Sequence, residues 1–220
     1  MREATSKKQA VIVPVHPSAA CYTLLVRFNT MQTKIMLDLE TLGTKPGSVI
    51  ISIGAARFNA RQVLSTFYKC VDLESCIRLG LTMDPATVLW WMNQSEEARQ
   101  ELTMPGMPIT TALGLFSEWV SREEETEIWG NGADFDNAIL ADAYDRAEIV
   151  RPWSRRLNRC YRTIKALHPE VPFVQTGIKH HARDDAFSQA EHLIRIWPRL
   201  AIPFDSSEVP CSTSPAGPKT

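Results

Sequence analysis

Little in this chain points to a covalent staple, a membrane span or a broad cationic surface. The five cysteines, Cys21, Cys70, Cys76, Cys160 and Cys211, are odd in number and widely spaced, and no Cys-x-x-Cys pair occurs. That pattern argues against a disulfide framework or a cysteine zinc site and fits a reduced, cytoplasmic protein. No apolar run is long enough to span a bilayer, so no membrane association is expected. Val11-Ile-Val-Pro-Val15 follows Lys7 and Lys8 in the manner of a signal peptide, but Pro14, His16 and Pro17 interrupt it and no signal is read. Cationic residues are not in excess: 24 Lys and Arg against 25 Asp and Glu give a formal net charge of −1. This argues against a sequence-specific duplex binder with many phosphate contacts. It leaves nucleic-acid contact to a local patch or to bound metal ions.

What is present is an ordinary globular composition. With 220 residues, 44% hydrophobic and 22% charged, the chain can bury one sizeable core without staples. Residues 1–32 are mixed and Pro-interrupted and read as a poorly ordered N-terminal extension. Residues 33–204 carry the readable pattern and form the domain. Residues 205–220 are rich in Ser, Pro and Gly and read as a disordered tail.

Within the domain, Lys34 to Glu40, Ser48 to Asn59 and Leu64 to Val71 read as three strands joined by short connections, an antiparallel meander. Helices are expected over Asp84 to Met92, begun by an Asp-Pro pair, Ser95 to Leu102 and Ile109 to Ser121. A short strand over Glu127 to Gly130 follows. Helices over Asp134 to Ala147, Arg159 to Leu167 and Asp184 to Trp197 complete the pattern. Three strands followed by alternating helix and strand make an α/β fold with a mixed sheet flanked by helices.

Chemistry concentrates in three places. In Ile35-Met-Leu-Asp-Leu-Glu-Thr-Leu-Gly43, Asp38 and Glu40 stand two apart on a strand and so face the same side. Like charges beside a core are unfavourable unless a cation compensates them, and Mg²⁺ is a fitting partner for carboxylate oxygens. The strand alone fits an acidic face meeting water equally well. In Trp129-Gly-Asn-Gly-Ala-Asp-Phe-Asp136, a strand passes through a Gly-rich turn into a helix. Asp134 fits a capping role, and Asp136 is the better ligand candidate. In Lys179-His-His-Ala-Arg-Asp-Asp185, two histidines and two aspartates open the last helix, as a polar first turn or as a metal carboxylate beside a general base.

Together, Asp-x-Glu-Thr on a first strand, Phe-Asp opening a middle helix and His-x-Ala-x-x-Asp before a last helix resemble the DEDDh 3′-5′ exonucleases of the ribonuclease H-like fold. The resemblance runs from about Lys34 to Trp197. The extended first motif, Trp90-Trp91 and the WGNGADFDNAIL stretch are most similar to the branch holding phage-type exonucleases and mycobacterial RNase AS-like enzymes. It implies a five-stranded mixed sheet. It also implies two divalent metal ions, Mg²⁺ or Mn²⁺, held by Asp38, Glu40, Asp136 and Asp185, with His180 as general base. The register of His180, Ala182 and Asp185 ranks them above the neighbouring His181 and Asp184.

The same resemblance implies release of nucleoside 5′-monophosphates from the 3′ end of single-stranded DNA or RNA, or of 3′ overhangs, and association as a homodimer. Thr41 and Leu42 would meet the terminal nucleotide, Leu42 as an apolar wedge. Trp90 or Trp91 could stack on a base, but adjacent helix positions diverge by about 100°, so at most one of them, with Trp90 the candidate, faces substrate and the other is core. Arg162 and Lys165 fit either phosphate contact or a solvated helix face. The alternative that stays open is a catalytically inactive nucleic-acid-binding module of the same fold.

Overall fold

The computed structural model describes residues 33–120, 126–200, 202 and 204. The expectations for residues 1–32 and 205–220 lie outside the described residues. Five strands form one sheet: β1 (Lys34–Thr41), β2 (Ile50–Phe58), β3 (Val63–Cys70), β4 (Glu127–Gly130) and β5 (Asn158–Cys160), in the order β3-β2-β1-β4-β5. β1, β2 and β3 form the antiparallel meander, while β4 lies parallel to β1 and β5 parallel to β4. Among the described residues seven α-helices accompany the sheet: α1 (Leu73–Arg78), α2 (Pro85–Met92), α3 (Glu96–Gln100), α4 (Ile109–Val120), α5 (Asp136–Arg146), α6 (Tyr161–Leu167) and α7 (Ala182–Ile196).

The period of two along β1 separates the two layers. Ile35, Leu37 and Leu39 enter the larger core with Ile109, Leu113 and Phe116 of α4 and Ile139, Leu140 and Tyr144 of α5. Met36, on the opposite face, enters a smaller core with Ala56 and Phe58 of β2 and Ala186, Ala190 and Leu193 of α7. Asp38 and Glu40 continue that second face, so the apolar row under α7 gives way to two buried acids. α7 comes close because Gly54 of β2 has no side chain. A Cβ placed there would lie 2.1 Å from the backbone carbon of Ala182.

Several expected boundaries shift for local reasons. α5 begins at Asp136 rather than Asp134, and Phe135, not Asp134, occupies the N-cap without a side-chain bond. Asp136 fixes the start itself, because its carboxylate is bonded to backbone N–H groups outside the helix. The expected helix from Arg159 begins at Tyr161, since Asn158–Cys160 pair with β4 as the fifth strand. α7 starts two residues earlier than expected, at Ala182. The unanticipated α1 is capped by Asp72, whose side chain accepts from Glu74 and Ser75 N–H. α2 follows the expected Asp-Pro start, with Asp84 as N-cap and Pro85 at the first helical position.

Candidate active site

Where β1 outruns β4, the sheet opens a cleft of about 630 Å³. Pairing of β1 with β4 ends at Leu37 and Gly130. Beyond it, the Leu39 N–H donates to Asp136 Oδ1 at 3.1 Å, and the Asn131 N–H donates to Asp136 Oδ2 at 2.8 Å. The strand-to-helix turn thus fixes Asp136 beside Asp38. Gly130 is required there, since a Cβ would lie 2.3 Å from Asn137 Oδ1. α7 brings the remaining acid: Asp185 accepts from Gln175 Nε2 at 2.6 Å and from the His180 backbone N–H at 3.1 Å. Gln189, one helical turn after Asp185, donates to Asp38 Oδ1 at 2.7 Å.

Asp38, Glu40, Asp136, Asp185 and His180 all line this cleft. Glu40, His180 and Asp185 present potential ligand atoms within 4.8 Å of one another. Asp38, Glu40 and Asp136 are 8%, 7% and 2% exposed, a burial that isolated carboxylates do not tolerate. The electrostatics follow. Burial, then the charges of Asp136, Glu40 and Asp185, push the Asp38 carboxyl well above its ordinary range. Burial, then Asp185, Glu101 and Asp136, do the same to Glu40. Burial pushes Asp136 up to about 7 against the opposing pull of the Leu39 and Asn131 amides. Asp185 is raised by burial as well. Burial lowers the pKa of the His180 imidazole, favouring the neutral, proton-accepting form, although the Asp185 charge opposes it.

This donor set fits a hard divalent cation. Three buried carboxylates and the half-buried Asp185 offer only oxygen ligands, and the neighbouring acids raise the proton affinity of Asp38 and Glu40. Beside them Gln189 Oε1 is buried without a hydrogen-bond partner among the described residues.

The remaining candidates divide. Trp90 is 44% exposed, lines the cleft and meets His180 edge to face, with ring centroids 4.9 Å apart. Trp91 is 1% exposed and donates from Nε1 to the Thr41 carbonyl at 2.9 Å, so it belongs to the core. Thr41 lines the cleft, and its hydroxyl donates to the Gly43 carbonyl at 2.6 Å. Leu42 is not in the cleft wall; it packs into the larger core. Asp184 is also absent from the wall, its Oδ2 accepting from the Ile178 N–H at 3.0 Å. His181 turns away to stack on Tyr68 with centroids 4.4 Å apart. Arg162 and Lys165 line the cleft, and Arg162 Nη2 donates to the Asn131 carbonyl.

Sequence reasoning missed Gln175, Gln189 and Glu101. The four-residue spacing from Asp185 could have found Gln189. No local signal marks the other two.

Comparison with known proteins agrees with this geometry. Residues 33–197 match the family described as the 3′-5′ exoribonuclease Rv2179c-like domain. The exodeoxyribonuclease of Enterobacteria phage T4 is 26% identical over 121 residues, covering 49% of this chain and 53% of the phage enzyme, so the match spans about half of that relative's length. The nuclease domain of 3′hExo, a DEDDh family member solved with rAMP, superposes with a TM-score of 0.54 at 12% identity, covering 77% of this chain and 94% of that one. Cell-death related nuclease 4 gives a TM-score of 0.53 at 14% identity, over 77% of this chain and 64% of its own. S. pombe Pop2p in its Mg²⁺- and Mn²⁺-bound form gives 0.50 at 14% identity, over 77% and 83%. The structural likenesses establish the ribonuclease H-like fold, and the family match, spanning the whole described domain with its acids and histidine, shows that the chain belongs to the Rv2179c-like 3′-5′ exoribonuclease domain family of the DEDDh exonucleases.

Proposed function

We propose that this protein is a metal-dependent 3′-5′ exonuclease that releases nucleoside 5′-monophosphates from single-stranded nucleic acid or from 3′ overhangs. The observation that carries the reading is the convergence of Asp38, Glu40, Asp136 and Asp185 with His180 on one cleft in a chain of this family. Asp38, Glu40, Asp136 and Asp185 would hold Mg²⁺ or Mn²⁺, as a pair of ions. Such ions supply Lewis-acid charge to the attacking and leaving oxygens of an in-line displacement.

The chain's own residues do the rest. His180, neutral near pH 7 through burial, takes the proton of the attacking water. The P–O3′ bond to the penultimate sugar breaks, leaving a new 3′-hydroxyl on the shortened strand and a phosphate on the 5′ carbon of the released nucleoside. Trp90 offers an exposed ring for stacking, and Thr41 borders the terminal sugar. Arg162 and Lys165 meet phosphates at the rim. A compact acidic cleft must splay the terminal nucleotide, so single strands and short 3′ overhangs are expected to be degraded faster than a blunt duplex. Cys70, Cys76 and Cys160 are free thiols, which suits a reducing cytoplasm. Self-association as a homodimer is a further expectation, measured by light scattering.

The test is digestion of 5′-labelled RNA and DNA single strands with and without Mg²⁺ or Mn²⁺. A ladder shortening from the 3′ end only with metal is the expected result, and the ratio of the two strands' rates gives the sugar preference. Binding without shortening would sink the reading and favour an inactive binding module.

A further inference from the structure

His180 adopts a left-handed backbone, with φ of 63°. That conformation is unfavourable for a residue with a Cβ and persists only where its surroundings enforce it. α7 begins two residues later with no side-chain cap of its own. The acids of α7 hold part of the turn, Asp185 accepting from the His180 N–H and Asp184 from the Ile178 N–H, and the His181 ring between them is gripped from outside the helix.

The structure places a buried polar cluster at this point. Across the α7 face of the sheet, Asp38 stands opposite Gly54, and Gly54 opposite Tyr68. Glu40 likewise stands opposite Ser52, and Ser52 opposite Cys70. The missing side chain at Gly54 admits Ala182, and Tyr68 then meets the His181 ring face to face, with 22° between the planes. Glu101, from the single 3₁₀ turn after α3, is 4% exposed and sits among these groups. Tyr68 OH donates to Glu101 Oε1 at 3.1 Å, and Ser52 Oγ donates to Glu101 Oε2. His181 Nε2 lies 3.5 Å from Glu101 Oε1. A carboxylate eighty residues upstream thus gathers Tyr68, Ser52 and His181 beside the start of α7.

We infer that His181, held by Tyr68 and Glu101, is a positioning residue that locks the left-handed turn at His180 and so aims the His180 ring into the cleft. The doubled histidine then divides two tasks between adjacent positions. His180 does the chemistry and His181 grips the scaffold. The His181 carbonyl accepts from the Asp184 and Asp185 N–H groups at 2.9 and 3.0 Å, so the same residue anchors the first turn of α7. Releasing the His181 ring frees the segment whose strain must be held. The inference rests on the exonuclease reading for its kinetic test, though not for its structural one.

The test is a double-mutant cycle on the full chain with a 5′-labelled single strand and Mg²⁺, together with hydrogen exchange of the metal-free protein. His181→Ala is expected to lower kcat about 10- to 100-fold, as a misplaced reacting group does, with KM changed less than about twofold. In a His180→Ala background the same substitution should change kcat by less than about twofold, because the residue it positions is gone. His181→Phe, which keeps a ring on Tyr68, should recover part of the loss. Amides of residues 178–185 should exchange faster in His181→Ala than in the wild type, with those of β1 and β2 unchanged. Equal losses in both backgrounds, or unaltered exchange across 178–185, would overturn the assignment. Wild-type protein without metal-dependent shortening would instead remove the exonuclease reading, and the exchange measurement would still decide the structural role. If His181→Ala does not fold, Tyr68→Phe, which keeps the stack and removes the Glu101 bond, takes its place, with smaller losses in the same direction.

Discussion

Glu40→Gln should make the metal-free protein more stable while disabling it. Glu40 shares a space with Asp185 in which potential ligand atoms lie within 4.8 Å. Two unit charges at that separation repel by about 3.5 kcal/mol at an effective dielectric of about 20. Glutamine keeps the shape and removes the charge. The pH dependence has a definite sign. Burial and the neighbouring acids raise the folded-state pKa of Glu40 well above its ordinary 4.5. Below that ordinary value the group is protonated in both folded and unfolded chains, and the substitution changes little. As the pH rises the unfolded chain ionises first, so the folded wild type loses stability progressively until its own raised pKa is passed. In EDTA at pH 8 the variant should gain about 3 kcal/mol, or roughly 6–12 °C in Tm. The gain should shrink toward zero near pH 4. Mg²⁺ at about a thousand times its Kd should reverse the ranking, since a ligand at that excess stabilises the wild type by about 4.1 kcal/mol. Urea or thermal unfolding at two pH values, with and without metal, measures all of this. A variant no more stable than the wild type at pH 8 in EDTA would refute the reasoning.

His180→Ala should lower kcat by about 10²- to 10⁴-fold with the unfolding midpoint little changed, the usual contribution of a general base; single-turnover kinetics reads it. Trp90→Ala should weaken binding of a single strand by about 1–3 kcal/mol through lost stacking, measured by fluorescence anisotropy with Ca²⁺ in place of Mg²⁺. Trp91→Ala should instead cost about 3–5 kcal/mol of folding stability, since that ring is fully packed and bonded to Thr41. Gly54→Ala should destabilise the protein by about 1–3 kcal/mol or more, because its methyl group meets the Ala182 backbone rather than a flexible side chain; denaturant unfolding measures it, and an unchanged midpoint would contradict the close approach of α7.

Much of the architecture was legible because it is periodic. β1 through β4 and the longer helices carry runs bounded by glycine, proline or capping residues, and they appear within a few residues of expectation. α1, with six residues, and β5, with three, are too short for a period to register. Asp38 and Glu40 announce themselves through alternation on one strand. Asp136 and Asp185 do not, since an acid in a first helical turn has an ordinary electrostatic reason to be there, and only the order of the three motifs lifts them above it. Leu42 illustrates the opposite failure. Its position after the motif suggested an apolar wedge, but β1 ends at Thr41 and Leu42 packs into the larger core. Glu101 and Tyr68 were invisible because contacts between separate segments leave no trace in local pattern.

The order of the chain has a consequence for biosynthesis. β1 emerges from the ribosome early, yet the helix that completes its acidic face is the last α-helix among the described residues. A nascent polypeptide ending before residue 180 holds Asp38, Glu40 and Asp136 but neither His180 nor Asp185. Such an intermediate lacks the side chains that the proposed mechanism uses as proton acceptor and fourth carboxylate, so on that reading no active centre forms until α7 has left the exit tunnel and docked over Gly54.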